Sequence, residues 1–208
     1  LVVSVCLIMI YIENVLQPVY VVKSAWKVLL FLGSVMLYSM ITKKRILSLP
    51  HKTKELKQTC ILALAVYVLI LMGFFFIQDY MDLNQIRESL MGKEGIHREN
   101  FIFVAAYISI VNSFIEELLF RGFAFQTVKQ LEFQRFSYIF SSAMFAIYHI
   151  GIIGTWFSVP MLTLMIAGLF VAGIALNLFC QYTDSIFGSW SIHIAANLAI
   201  NTIGFLIL

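Results

Sequence analysis

FIFVAAYISIVNSFIEELLFRGFAF, residues Phe101 to Phe125, has the length and apolar content of a membrane-spanning helix, yet it holds Glu116, Glu117 and Arg121. A charged side chain at the centre of such a helix costs about 2.5–3.5 kcal/mol on insertion scales, so a cluster of three implies partners or a task. The stretch predicts a polar site inside the bilayer.

The rest of the chain agrees with that environment. Of 208 residues, 61% are apolar and 12% charged, and the mean hydropathy of +0.92 is far from that of soluble domains. The expected fold is all-α, a polytopic helical bundle of about seven transmembrane helices at roughly 20 residues per span. One membrane-embedded domain, residues 1–208, accounts for the whole length, with N-terminal spans over about 1–77 and a motif-bearing core over about 101–208. The expected spans are Leu1 to Ile12, Ser24 to Thr42, Thr59 to Ile77, Phe101 to Phe125, Phe136 to Ile150, Val159 to Phe179 and Ser185 to Leu208. Cys6, Cys60 and Cys180 are scattered along apolar runs, offer no disulfide framework or CxxC motif, and are expected to pack.

Charge orients the bundle. Lys43, Lys44, Arg45, Lys52, Lys54 and Lys57 face a single acid, Glu55, so the Lys43 to Lys57 loop is expected to be cytoplasmic. Gln78 to Asn100 carries Asp79, Asp82, Glu88, Glu94 and Glu99 against Arg87, Lys93 and Arg98, which suits the outer face. There Asp82 is a candidate helix cap with Gln85 reaching back, and Leu83, Ile86 and Leu90 recur at helical spacing; an interfacial helix and a solvated loop are both compatible with that pattern. The next loop on the cytoplasmic side is expected to hold Lys129 and Arg135.

On the fourth span Glu117 and Arg121 are i,i+4 neighbours, in the favoured order of acid before base, and are expected to form a supporting ion pair. Glu116 points about 100° away from that partner, is expected to be without a fixed cation, and is for that reason the carboxylate suited to accept and return a proton. The alternative is a buried ion network that only fixes helix packing. Two further spans bring polar groups. Phe145 stands one turn before His149, and His193, Asn197 and Asn201 form a stripe at intervals of four that lipid cannot satisfy. A single buried histidine is an ordinary packing residue, but three spans with polar groups suggest a shared interior. Glu116 and His149 would hold and deprotonate water, and His193 with Asn197 would stabilise an oxyanion, the equipment of peptide hydrolysis.

These residues carry a resemblance. EELLFR at Glu116 to Arg121, FAIYH at Phe145 to His149 and HIAAN at His193 to Asn197 match, in order, the EExxxR, FxxxH and HxxxN motifs of the CAAX-protease and bacteriocin-processing (CPBP, or ABI) family of intramembrane proteases. Each motif is weak alone; the set is specific, and it covers about the second half of the chain. The resemblance implies an intramembrane endopeptidase with Glu116 as catalytic glutamate, His149 as its partner on the water, His193 and Asn197 as the oxyanion pair, and Glu117, Arg121 and Phe145 in support. It also implies an alternative, a peptide-binding protein without catalysis, since the family includes members linked to bacteriocin self-immunity and transport. No cofactor is expected to be required, though zinc is a possibility; it would take Glu116, His149 and His193, but HExxH is absent and Asn is a poor zinc ligand. The expected partners are the lipid bilayer and a peptide or protein substrate, either prenylated or a secreted or signalling peptide; no nucleic acid is expected. The basic loop and short chain suggest the plasma membrane of a bacterium.

Overall fold

The computed structural model describes residues 1–43 and 56–208, so all but the ends of the expected cytoplasmic loop, Lys43 to Lys57, lies outside the described residues. Six helices are long and apolar enough to cross a membrane, and a seventh, Val2–Leu16, is apolar but shorter. We label the elements α1 (Val2–Leu16), α2 (Tyr20–Thr42), α3 (Leu56–Ile77), α4 (Leu83–Glu88), α5 (Phe101–Gln130), α6 (Gln134–Ile153), α7 (Val159–Thr183) and α8 (Ile186–Ile207). No strand occurs among the described residues, and the protein is an all-α polytopic bundle.

Local chemistry sets the breaks. α1 widens to a π turn over Ile12–Leu16 and stops at Gln17 in the left-handed region (φ 44°), just before Pro18, which cannot continue a helix. α5 and α6 are separated only by Leu131 to Phe133, with Glu132 at φ 67°. Lys129 and Arg135 therefore belong to helix ends and not to a loop, contrary to the expectation. α7 places Pro160 in its first turn, where a missing N–H costs nothing, and ends at Asp184 (φ 50°). The Ser185 hydroxyl then caps α8 by accepting from the Phe187 N–H at 3.2 Å.

The 30-residue α5 is the central rod. Of its most apolar stretch 44% is buried inside the protein, against 6% for α3, whose surface is left to lipid. Around α5 lie α1, α2 and α6, sharing a core that includes Cys6, Met9, Phe31, Leu119, Phe120, Phe145 and Tyr148. α6 pairs with α7, α3 leans on α8, and α1 packs on α6. Small residues permit the closest approaches: a Cβ on Gly173 of α7 would stand 2.9 Å from Ser142 Cα of α6.

Part of the Gln78 to Asn100 segment is helical, as α4 shows. Asp82 Oδ1 caps it by accepting from the Gln85 N–H at 2.9 Å, as expected, but the Gln85 side chain does not reach back; its Nε2 donates to Thr155 O at 2.7 Å. Ile86 and Leu90 are buried with Ile96, Phe101 and Ala105, so this short helix plugs one end of the bundle. Of the three cysteines, Cys6 and Cys180 are buried, whereas Cys60 is exposed and does not pack as expected.

Candidate active site

The two glutamates occupy a short α-helical stretch, Ser113–Glu117, between two π-helical stretches of α5, Tyr107–Asn112 and Leu118–Phe125. A π turn hydrogen-bonds i to i+5 and adds a residue to the turn; such turns recur at functional sites. α8 uses them. Asn197 Nδ2 donates to Ile108 O at 3.1 Å, Trp190 Nε1 to Ile110 O at 3.1 Å, and Asn201 Nδ2 to Ala105 O at 3.3 Å and Ser109 Oγ at 3.0 Å. The polar stripe of α8 therefore fastens that helix to α5.

Glu117 is fully buried and meets Arg121, as the spacing predicts, with Nη1 3.0 Å from Oε1. Nη1 lies off the line required for a hydrogen bond, so the contact is an ion pair in the strict sense. Arg121 also donates through Nη2 to Gly173 O at 3.4 Å, and its guanidinium lies 4.4 Å from the centre of the Phe145 ring. The same Glu117 oxygen accepts from His193 Nδ1 at 2.9 Å. Because a carboxylate can only accept, Nδ1 carries the proton and Nε2 is the open nitrogen, standing 3.6 Å from Glu116 Oε2.

His149, half-buried on α6, is oriented the same way: Nδ1 donates to Phe145 O at 2.7 Å, which leaves Nε2 free. Phe145 is the hub between the two imidazoles, with ring centres 4.6 Å from His149 and 5.7 Å from His193. Glu116 is within electrostatic range of both histidines. Three helices thus bring Glu116, Glu117, Arg121, Phe145, His149 and His193 together, as expected. Asn197 lies one turn beyond His193, with one amide N–H committed to Ile108.

One expectation fails. Glu116 does not lack a cation: Lys27 Nζ of α2 lies 2.5 Å from its Oε1, and Asn112 Nδ2 donates to the same oxygen at 3.0 Å. Lys27 also donates to Asn112 Oδ1. The available signal was the presence of Lys23 and Lys27 at i,i+4 near the start of an apolar span, where an unpaired ammonium is as costly as an unpaired carboxylate. Also unread from sequence was a buried seam of Ser141, Ser142 and Asn177. There Asn177 Nδ2 donates to Ser142 Oγ at 3.1 Å and Ser141 Oγ to Phe120 O at 2.8 Å, tying α7, α6 and α5 together behind the site.

The oxygen and nitrogen donors of Glu116, His149 and His193 suit zinc by type, and histidines with a bonded Nδ1–H are typical of metal sites. Their arrangement does not suit it. Among the described residues no three His, Cys, Asp or Glu side chains form a group able to hold a metal ion, and the Lys27 ammonium already occupies one Glu116 oxygen, where it would repel a dication.

The family model described as Type II CAAX prenyl endopeptidase Rce1-like matches residues 98–199, which contain all three motifs. This half of the chain belongs to the CAAX-protease family. No curated protein and no solved structure gives a significant match. The CAAX-protease match takes in α5, α6 and α8, the helices that carry both glutamates and both histidines, and excludes α1 to α3.

Proposed function

We propose that the protein is an intramembrane endopeptidase of CAAX-protease type that hydrolyses a peptide bond with water activated by Glu116 and His149. The observation that carries this reading is the meeting of α5 and α8, where His193 stands 2.9 Å from Glu117 and 3.6 Å from Glu116, with Phe145 of α6 touching both imidazole rings. The water oxygen attacks the scissile carbonyl carbon while Glu116 takes its proton, with His149 Nε2 accepting the other water hydrogen to hold it in line. The carbonyl oxygen gains negative charge, to be met by the second amide proton of Asn197 and by His193 Nε2 once that nitrogen has taken a proton from bulk water, which makes the ring an imidazolium. Glu117 is placed to compensate an imidazolium, and Arg121 balances Glu117. Collapse of the tetrahedral species breaks the C–N bond, and the proton held by Glu116 passes to the leaving amine.

This chemistry takes no metal, and the ammonium of Lys27 beside Glu116 favours that form over a zinc hydrolase. The substrate is a peptide or protein entering on the side of the half-buried His149, either prenylated or a small secreted or signalling peptide. The membrane is the plasma membrane of a bacterium, with the Lys43 to Lys57 loop inside.

A second reading draws on the same ion pairs: with Lys27 on Glu116 and Arg121 on Glu117, the network would fix packing in a peptide-binding protein that does not cut. Purified protein in detergent with a labelled peptide separates them. Cleavage by the wild type that Glu116→Gln abolishes is the protease result; binding without turnover in either form is the receptor result.

A further inference from the structure

We propose that Lys27, on α2 and outside the matched residues, is a positioning residue of this site: it fixes one oxygen of the Glu116 carboxylate so that the other faces the attacking water. The proposal rests on the hydrolytic reading above and extends the working centre to the N-terminal half of the chain.

Lys27 is only 6% exposed. An ammonium at that depth is costly unless compensated, and here the compensation is concentrated on the reacting carboxylate. Its Nζ donates to Glu116 Oε1 and to Asn112 Oδ1, and Asn112 in turn donates to Glu116 Oε1, closing a three-membered clamp on one oxygen. The aromatic faces of Tyr148 and Phe31, centred 4.8 and 5.7 Å from Nζ, hold the ammonium in place from behind. Oε2 is treated differently. Its neighbour, His193 Nε2, is 3.6 Å away, beyond the 2.7–3.2 Å of a direct N–H···O bond, so this oxygen keeps its acceptor capacity for the proton of the water.

During the reaction Lys27 gains and loses no proton. The water proton goes to Glu116 Oε2 and then to the leaving amine, while Oε1 stays clamped and the carboxylate plane cannot turn. Removing the ammonium frees that plane and misaligns Oε2.

The test uses the full chain in detergent with the labelled peptide above, comparing wild type, Lys27→Met, Lys27→Arg and Asn112→Ala, with a melting curve for each. Lys27→Met is expected to lose about 10²-fold in kcat with KM unchanged, the loss that follows a misplacement of about 1 Å. Lys27→Arg should recover most of that loss because it restores the charge. Asn112→Ala should show a smaller loss, again in kcat. Should Lys27→Met fail to fold, the other two variants decide, and wild-type kcat in Asn112→Ala overturns the clamp. A kcat for Lys27→Met equal to or above wild type, or a loss confined to KM, overturns the proposal while the hydrolytic reading stands. An inert wild type overturns both.

Discussion

At the scale of the residue, the chemistry depends on how two adjacent carboxylates are separated by their partners. Glu117 is committed to Arg121 and to His193 Nδ1, which leaves it holding an imidazole in orientation, much as an acid does behind a catalytic histidine. Glu116 has one oxygen clamped and one open. Replacing His149 with alanine should lower kcat by about 10²–10⁴-fold, the range for loss of a general acid or base, with a melting temperature close to wild type because the ring is half-buried. Cleavage kinetics and melting curves on the same preparation check both halves of that statement. Arg121→Ala should behave differently. It strands the Glu117 charge in a site with no exposure, a loss of about 3–5 kcal/mol for a broken buried pair, so folded yield and melting temperature fall along with activity. An unchanged melting temperature would show that Glu117 does not depend on this arginine.

Residue identity and spacing made the Glu117–Arg121 pair and the His193–Asn197–Asn201 stripe legible, because i,i+4 neighbours share a helix face whatever surrounds it. The pairing of Lys27 with Glu116 was not legible. The two residues are 89 positions apart and on different helices, and nothing in either segment says which rods touch.

At the scale of the element, α5 is a helix whose regular ladder has been opened on both sides of the glutamates. The extra residue in each π turn widens the rod, and at the first of them the Ile108 and Ile110 carbonyls, already bonded within the helix, also accept from Asn197 and Trp190 of α8, which docks that partner. Sequence periodicity assumes 3.6 residues per turn and could not see this. It did see the caps: Asp82 before α4 and the break at Pro18 follow from short-range chemistry that needs no tertiary partner.

The close pairing of α6 with α7 gives a sharp test at this scale. Gly173→Ala puts a methyl 2.9 Å from the Ser142 backbone, where no flexible side chain can yield, and also disturbs the carbonyl that receives Arg121 Nη2. A destabilisation of about 1–3 kcal/mol, typical of overpacking, is expected in thermal melts. Wild-type stability would mean that the two helices separate more easily than their contact implies.

At the scale of the whole molecule, the site is assembled from four rods, α2, α5, α6 and α8, each long and apolar enough to cross a membrane. The orientation we propose rests on loop charge. Ser48→Cys in a background without other cysteines should react with a membrane-impermeant maleimide only after cells are opened, whereas Glu99→Cys should react in intact cells. Labelling in the opposite order would invert the bundle. A strong chelator should leave cleavage within twofold or so of the untreated rate if a Lys-clamped glutamate activates the water, as proposed; full inhibition reversed by zinc would mean that a metal displaces Lys27.

Composition alone determined that this chain lives in a membrane as a helical bundle, because about 20 apolar residues in succession have no other stable state in lipid. Motif spacing determined which side chains share a helix face, since that depends only on the pitch of the rod. The tertiary structure decided which rods meet, which carboxylate takes which cation, and that an ammonium from α2 enters a centre otherwise built from α5, α6 and α8. Those choices rest on contacts between residues far apart in the chain, where helix packing and the cost of an unpaired buried charge act together, and no local pattern encodes them.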